Sequence, residues 1–328
     1  MTKINPERKR LLAKVAYLHY VEGKNQTEIA KELNIYRTTI SRMIAKAKNE
    51  GIVKIEIADY DSNLFALEEY VRKKYHLKKI EIVDSSKEDD FSDILVRVGQ
   101  VASEVVRSSI KDNNRIGISW GKSLSYMINS ITPRAVNDIS VFPLAGGPSY
   151  INVKYHVNTL VHQLAQAFHG KSIFINATVI QENKELAKGI LKSKYFEAIR
   201  SDWKCLDVAI VGIGGAPNKD LESQWRDLLS EEDYKILKKE KAVGEVCCRF
   251  FNEEGEPVYE RLQERTIGIS LEQLRQVPLT VAIACGEHKS KAILAAIKAK
   301  FIDYLITDKQ TILALLAIEG DNNIQRFY

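Results

Sequence analysis

Four short segments combine glycine with a cation or a hydroxyl, the residue types that hold a small anion. They are Trp120-Gly121-Lys122-Ser123, Ala145-Gly146-Gly147-Pro148-Ser149, Gly212-Ile213-Gly214-Gly215-Ala216-Pro217 and Cys285-Gly286-Glu287-His288-Lys289. Glycine lets the backbone approach a ligand closely, and a helix starting beside it adds unpaired N–H groups and the positive end of its dipole. Capture of a phosphorylated small molecule is the chemistry expected of such loops. A second set suits a different partner. In the stretch Arg37, Thr38, Thr39, Ser41 and Arg42, arginine can fork onto guanine O6 and N7, and the hydroxyls can meet phosphates or bases.

Three better-known patterns are matched only in part. Gly121-Lys122-Ser123 follows a β-branched run, but the pattern G-x-x-x-x-G-K-[ST] needs glycine where Ile116 stands. Gly117-Ile118-Ser119-Trp120-Gly121 fits G-x-S-x-G, with His288 far enough along to complete a hydrolase order. Five-residue patterns recur by chance, however, and His288 already belongs to a glycine-containing loop. Gly212-Ile213-Gly214 lacks the third glycine of a dinucleotide fingerprint, whose place Pro217 takes. His19, His76, His156, His162 and His169 show no metal-ligand spacing, and Cys205, Cys247, Cys248 and Cys285 form no C-x-x-C pair. Neither metal nor cofactor is expected. Cys247 and Cys248, adjacent on one strand, would point to opposite faces, so reduced thiols are the expectation.

The elements that position these residues follow from periodicity. Leu11, Val15 and Leu18 predict a helix from Pro6 to Glu22, ended by Gly23. Asn25-Gln26-Thr27-Glu28 reads as a capping box opening a short helix, Asn34-Ile35-Tyr36 as a turn, and Arg37 to Asn49 as a third helix with Ile40, Ile44 and Ala47 inward. Such an arrangement describes a helix-turn-helix, whose second element enters the major groove of DNA. Gln26 and Thr27 join the arginines and hydroxyls above as candidate DNA contacts. A solvated face on a protein-binding bundle is the competing reading. Ile52 to Ile57 alternates like a wing strand, Asp59 to Asn63 reads as a hinge, and Leu64, Leu67, Tyr70 and Val71 form an amphipathic stripe for core packing or for a second subunit. The expected organisation is residues 1–57 for DNA, 58–76 as hinge and linker helix, and 77–328 as an effector-binding and oligomerisation domain.

Beyond residue 77, β-branched strands alternate with helices: Ile80 to Val83, Arg115 to Ser119, Ile139 to Leu144, Leu206 to Val211, Glu245 to Phe250, Thr280 to Ala284 and Tyr304 to Thr307. Helices are predicted near Phe91 to Ile110, Leu124 to Ile131, Asn158 to Phe168, Leu221 to Leu229, Glu232 to Lys239, Ser290 to Lys300 and Lys309 to Glu319. This rhythm predicts an α/β domain with a mostly parallel sheet, in which ligands sit at the carboxyl ends of strands. The 328 residues are 45% hydrophobic and 28% charged, an ordinary globular composition. Charge is not spread evenly. The first 60 residues hold 12 Lys and Arg against 7 Asp and Glu, whereas the other 268 hold 36 of each, so the net +5 lies in the segment expected to meet a polyanion. With no run of about 18 apolar residues, no membrane partner is expected, and a cytoplasmic location is.

Taken together, Ile35-Tyr36-Arg37-Thr38-Thr39-Ile40-Ser41-Arg42, Gly117 to Gly121, Pro143-Leu144-Ala145-Gly146-Gly147, Val211 to Gly214, Gly244-Glu245-Val246-Cys247-Cys248-Arg249-Phe250-Phe251 and Leu305-Ile306-Thr307-Asp308 resemble the SorC-type sugar-responsive transcriptional regulators. Tyr155 to Leu160, together with Tyr36-Arg37-Thr38-Thr39, is most similar to the sorbitol and sorbose operon members. The resemblance spans essentially the whole chain. It implies an effector domain related in fold to ribose-5-phosphate isomerase, glucosamine-6-phosphate deaminase and CoA transferases, a homotetramer, and regulation of a carbohydrate operon without catalysis. By position it implies that Ser119, Gly121, Lys122 and Ser123 cradle a phosphate, Gly146, Gly147 and Ser149 line the sugar, Glu245 accepts a sugar hydroxyl and Lys289 neutralises charge. Expected partners are therefore a double-stranded operator and a sugar or sugar phosphate. The alternative is a sugar-phosphate isomerase or deaminase fused to a DNA-binding module.

Overall fold

Leu12, Val15, Ala16 and Leu18 lie on one face of α1 (Pro6–Tyr20), and that face is buried. In the computed structural model, which describes residues 6–53, 62–148, 155–218, 225 and 228–327, it packs on α2 (Gln26–Leu33) and α3 (Arg37–Asn49). Ile29, Ile40 and Ile44 close on Val15 and Leu18, while Ala47 meets Leu12 and Ala16. The start of α2 is capped reciprocally. Asn25 Oδ1 accepts from the N–H groups of Thr27 and Glu28 (3.0 and 3.1 Å), and the Asn25 N–H donates to Glu28 Oε2 (2.7 Å). Such a cap is worth about 1 kcal/mol. The helix ends at Asn34 in the left-handed region (φ 55°), which turns the chain so that α3 can start at once. Ile52 and Val53 pack on the second cluster; Lys54 to Ile57, the rest of the expected wing, lie outside the described residues.

The chain divides into two units, Met1–Ser62 and Asn63–Tyr328. Asp59 to Asp61 of the expected hinge lie outside the described residues, and Ser62 already opens α4 (Ser62–Tyr75). This helix is built into the second unit rather than standing apart as a linker. Leu64, Leu67 and Val71 join its core, the Tyr70 hydroxyl donates to Asp321 Oδ2 (2.5 Å), and the Tyr75 hydroxyl donates to Glu319 Oε2 (2.6 Å).

Strands and helices then alternate: β1 (Lys79–Val83), α5 (Phe91–Ser109), β2 (Arg115–Ile118), α6 (Lys122–Ser130), β3 (Ser140–Pro143), α7 (Val157–Ala167), β4 (Lys171–Ser172), α8 (Lys184–Lys192), α9 (Lys194–Trp203) and β5 (Val208–Gly215). They continue as α10 (Glu231–Lys239), β6 (Gly244–Val246), β7 (Arg249–Phe251), α11 (Glu260–Glu264), α12 (Leu271–Arg275), β8 (Leu279–Ile283), α13 (Ser290–Lys298), β9 (Tyr304–Asp308) and α14 (Lys309–Ile318). Seven strands pair in parallel in the order β1-β9-β8-β5-β2-β3-β4; β6 and β7 add an antiparallel hairpin to the end of β5. Alternate residues of the central strands feed two separate cores, one per face. Ala209, Val211 and Leu305 pack with α4, α9, α13 and α14, whereas Val208, Ile210 and Ile306 pack with α5, α6, α7 and α10. Burial on both sides is why these strands read as continuous apolar runs.

Three expectations need correction. The strand read as Leu206 to Val211 is β5, which runs on to Gly215 because Ile213 to Gly215 pair with β6. The strand read as Glu245 to Phe250 is broken: Cys247 and Cys248 both take positive φ (50° and 64°) and form the two-residue turn of the β6–β7 hairpin. Glycine or asparagine is usual there. Here the Glu245 side chain makes the turn, Oε2 accepting the Cys248 N–H at 3.0 Å. Helices α8 and α9 have no counterpart in the periodicity reading, and the helix expected over Leu221 to Leu229 falls mostly outside the described residues.

Candidate effector cleft and nucleic-acid face

From β2 the chain proceeds outward to β3 and β4, and from β5 it proceeds the other way to β8 and β9, so the sheet reverses direction between β2 and β5. In open α/β sheets a cleft opens at this point, at the carboxyl ends of the strands. Ser119 marks it. Its N–H still donates to Ile210 O (3.0 Å), but one step on the Ser119 hydroxyl replaces the ladder and accepts the Gly212 N–H (3.2 Å). Gly121 follows with φ 136°, a conformation L side chains rarely adopt, and α6 starts at Lys122 with no side-chain cap. Lys122 is exposed and has no ion pair among the described residues; Ser123 is buried beside the Cys285 thiol. Trp120 is buried next to Cys248, with its indole N–H toward that thiol.

Glu245 faces the same cleft from the hairpin. It is buried, with Oε1 against Gly214, where a Cβ would collide with it. Burial pushes its carboxyl up to about 7, against the opposing pull of the Cys248 N–H and the Lys289 cation. Lys289 is half-buried, and it lies beside Gly215 in the turn between β8 and α13. Burial also pushes the Cys285 thiol up to about 12 and lowers His288.

Sequence reasoning did not assign Asp308 to the site, although it holds this loop in place. Asp308 Oδ1 accepts from the Gly286 N–H (3.0 Å) and the Thr311 hydroxyl, while Oδ2 accepts from the Ser85 hydroxyl (3.0 Å) and the Thr311 N–H (3.1 Å). An Asp directly before the first turn of a helix is the N-cap signal that could have found it. Arg249, part of the family-like motif, is instead a bracket. It donates to the carbonyls of Gln263, Thr266, Gly268 and Ile269, and burial lowers it to about 10.

The loop after β3 behaves differently. Gly146 N–H donates to Ile267 O (2.9 Å) and Gly147 N–H to Ala177 O (3.0 Å), so neither amide is free. No helix starts there among the described residues, and Ser149 lies outside them. Gly147 abuts the His156 ring; His156 caps α7 with Nδ1 accepting the Asn158 N–H (3.2 Å), and burial lowers its pKa. Ser119, Gly121, Ser123, Glu245 and Lys289 thus converge through shared neighbours, whereas Gly146 and Gly147 are joined to the segments 177–179 and 267–268.

In the first unit, Arg37, Thr38, Thr39, Ser41 and Arg42 are all exposed along one end of α3; Thr27 is exposed and Gln26 half-exposed at the start of α2. Lys24 and Lys46 pair with Glu22, Glu32 and Glu50, but Arg37 and Arg42 have no ion pair among the described residues.

Residues 61–317 match the family described as "Putative sugar-binding domain". The chain is 33% identical to the sorbitol operon regulator of Klebsiella pneumoniae over 94% of this chain and 98% of that one. The full-length structure of that regulator, SorC, superposes with a TM-score of 0.73 over 94% of this chain and 99% of its own. The deoxyribonucleoside regulator of Bacillus subtilis (strain 168) is 29% identical over 94% and 98%. A transcriptional regulator structure from Streptococcus pneumoniae TIGR4 is 50% identical, covering 80% of this chain and all of its own, with a TM-score of 0.76. No helix among the described residues is long and apolar enough to cross a membrane. With its two-core parallel sheet and the family match over residues 61–317, the chain belongs to the SorC-type sugar-binding transcriptional regulators.

Proposed function

We propose that the chain regulates a carbohydrate-utilisation operon in the cytoplasm, binding a palindromic operator through α1 to α3 and releasing or tightening it when a sugar phosphate fills the cleft. Helix α3 lies in the major groove as the second helix of a helix-turn-helix, with Arg37 and Arg42 at base edges and Gln26, Thr27, Thr38, Thr39 and Ser41 on phosphates or bases. The uncapped start of α6, with Ser119, Gly121, Lys122 and Ser123, holds the phosphate. Glu245 accepts a sugar hydroxyl, Lys289 balances charge, and the Gly146 to Ser149 loop closes the sugar side. The observation that carries this reading is the uncapped start of α6 at Gly121, with the Ser119 hydroxyl at the same strand ends and Lys289 beside Gly215.

A route for coupling exists in α14. Asp308, its N-cap, holds the Gly286 loop at the cleft, and Glu319, its C-cap, takes Tyr75 and Lys74 of α4, the first helix of the second unit. An effector that prefers one setting of this lever in a tetramer alters operator affinity by its differential affinity for the two states. Thermal-shift screening of the full chain against sugars and sugar phosphates tests the site. A bound effector at 100 times its Kd stabilises by about 2.7 kcal/mol, whereas no shift with any sugar phosphate would overturn the reading.

One observation favours a second reading. A buried carboxyl raised to about 7 beside a lysine suits a general acid–base, as an isomerase or deaminase would need. Product formation from ribose-5-phosphate or glucosamine-6-phosphate, abolished by Glu245→Gln, would establish that activity.

A further inference from the structure

Tyr36 is 86% exposed, the most exposed of the large apolar side chains among the described residues. It is the N-cap of α3, a position where a short polar side chain would accept from the first helical N–H groups, yet its side chain makes no such bond. Its carbonyl does the structural work by accepting from the N–H groups of Thr39 (2.8 Å) and Ile40 (3.1 Å), which any residue could do. The ring neither caps the helix nor joins the cluster of Val15, Leu18, Ile29, Ile40 and Ile44. Around it the first turn of α3 has no acidic residue, and the next side chain is the unpaired Arg37.

An aromatic ring among unpaired cations and hydroxyls, with no carboxylate in that turn, suits an edge of DNA. The hydroxyls and guanidinium groups can read hydrogen-bonding base edges, whereas the carbon ring of a tyrosine has no donor or acceptor and is suited to apolar contact. The one apolar feature in the major groove is the C5-methyl group of thymine. We infer that Tyr36 is a specificity-determining residue whose ring packs on a thymine methyl beside the bases met by Arg37. This assignment rests on the DNA-binding reading of α1 to α3.

Selection from random duplex DNA with the full chain supplies the sequence it prefers, and fluorescence anisotropy then measures Tyr36→Ser and Tyr36→Phe on that duplex. Serine is among the best N-cap residues, so Tyr36→Ser should melt no lower than wild type while losing about tenfold in DNA affinity. Tyr36→Phe keeps the ring and should stay within about twofold, because the contact assigned here needs no hydroxyl. Replacing each thymine by uracil removes only the methyl. Wild type should weaken at one thymine per half-site, and Tyr36→Ser should be indifferent there. Tyr36→Ser binding like wild type, Tyr36→Phe failing like Tyr36→Ser, or an identical uracil response in wild type and Tyr36→Ser would each overturn the assignment. A wild-type chain that enriches no sequence would overturn the DNA-binding reading together with it.

Discussion

Two glycine-rich loops leave neighbouring strands of one sheet and use glycine for opposite ends. After β2, Gly121 supplies a backbone conformation that L residues avoid, and the helix beyond it starts with its N–H groups uncapped. After β3, Gly146 and Gly147 supply the absence of a side chain. Their N–H groups are committed to Ile267 and Ala177, and a Cβ on Gly146 would stand 2.8 Å from the carbonyl oxygens of Ala177 and Thr178. One loop leaves its helix start open to a ligand; the other is sewn into the backbone around it. A Gly-Gly pair is therefore weak evidence of a ligand until its N–H groups are accounted for.

This contrast can be broken by substitution. The largest effect should come from Asp308→Ala, which frees the Thr311 N–H and the Ser85 hydroxyl in a buried place and leaves the Gly286 N–H to Thr311 Oγ1 alone. A loss of about 3–4 kcal/mol in denaturant unfolding is expected, together with loss of effector binding; unchanged stability would show that the open loops do not depend on side-chain support. Next is Glu245. Its folded pKa is raised above its unfolded value, so its contribution is fully present below about pH 4.5 and is lost as pH rises through about 7. Relative to Glu245→Gln, wild type should lose stability on the order of 3 kcal/mol across that window, measured as the difference between two pH–stability curves. Parallel curves would mean that Glu245 is not a buried titrating acid.

Gly146→Ala should cost about 1–3 kcal/mol, because backbone oxygens cannot step aside, with no change in the salt dependence of effector binding. Lys289→Ala is the converse. A half-buried lysine with no close ion pair among the described residues should leave unfolding free energy within about 0.5 kcal/mol, yet weaken a sugar phosphate about tenfold by calorimetry.

Much of the fold could be read along the chain where local and tertiary preferences agree. The capping box at Asn25, the spacing of Ile40, Ile44 and Ala47, and the runs that became β8 and β9 all obey one period or the other. The misses occur where a distant group decides. β5 runs on to Gly215 only because β6 pairs with it, and the Cys247–Cys248 turn has no turn-forming residue because Glu245 supplies the missing acceptor. Of the candidate site, Gly121, Lys122, Ser123 and Lys289 stand in segments whose glycine, cation and hydroxyl can be read directly, whereas Ser119 and Glu245 enter through the family resemblance. Asp308 was not assigned, since its role is to position a loop that lies 22 residues earlier. The spent amides of Gly146 and Gly147 could not be read either, because their acceptors at 177 and 267 are fixed only by the fold.

The central claim is that the edge between β2, β5 and β8 binds an anionic sugar. Calorimetric titration of wild type and Lys289→Ala with the sugar phosphate that most raises the melting temperature, and with its unphosphorylated parent, tests it most directly. The account predicts that wild type binds the phosphate at least about tenfold more tightly than the parent, and that Lys289→Ala narrows this gap. Equal affinity for the two sugars in wild type would contradict it.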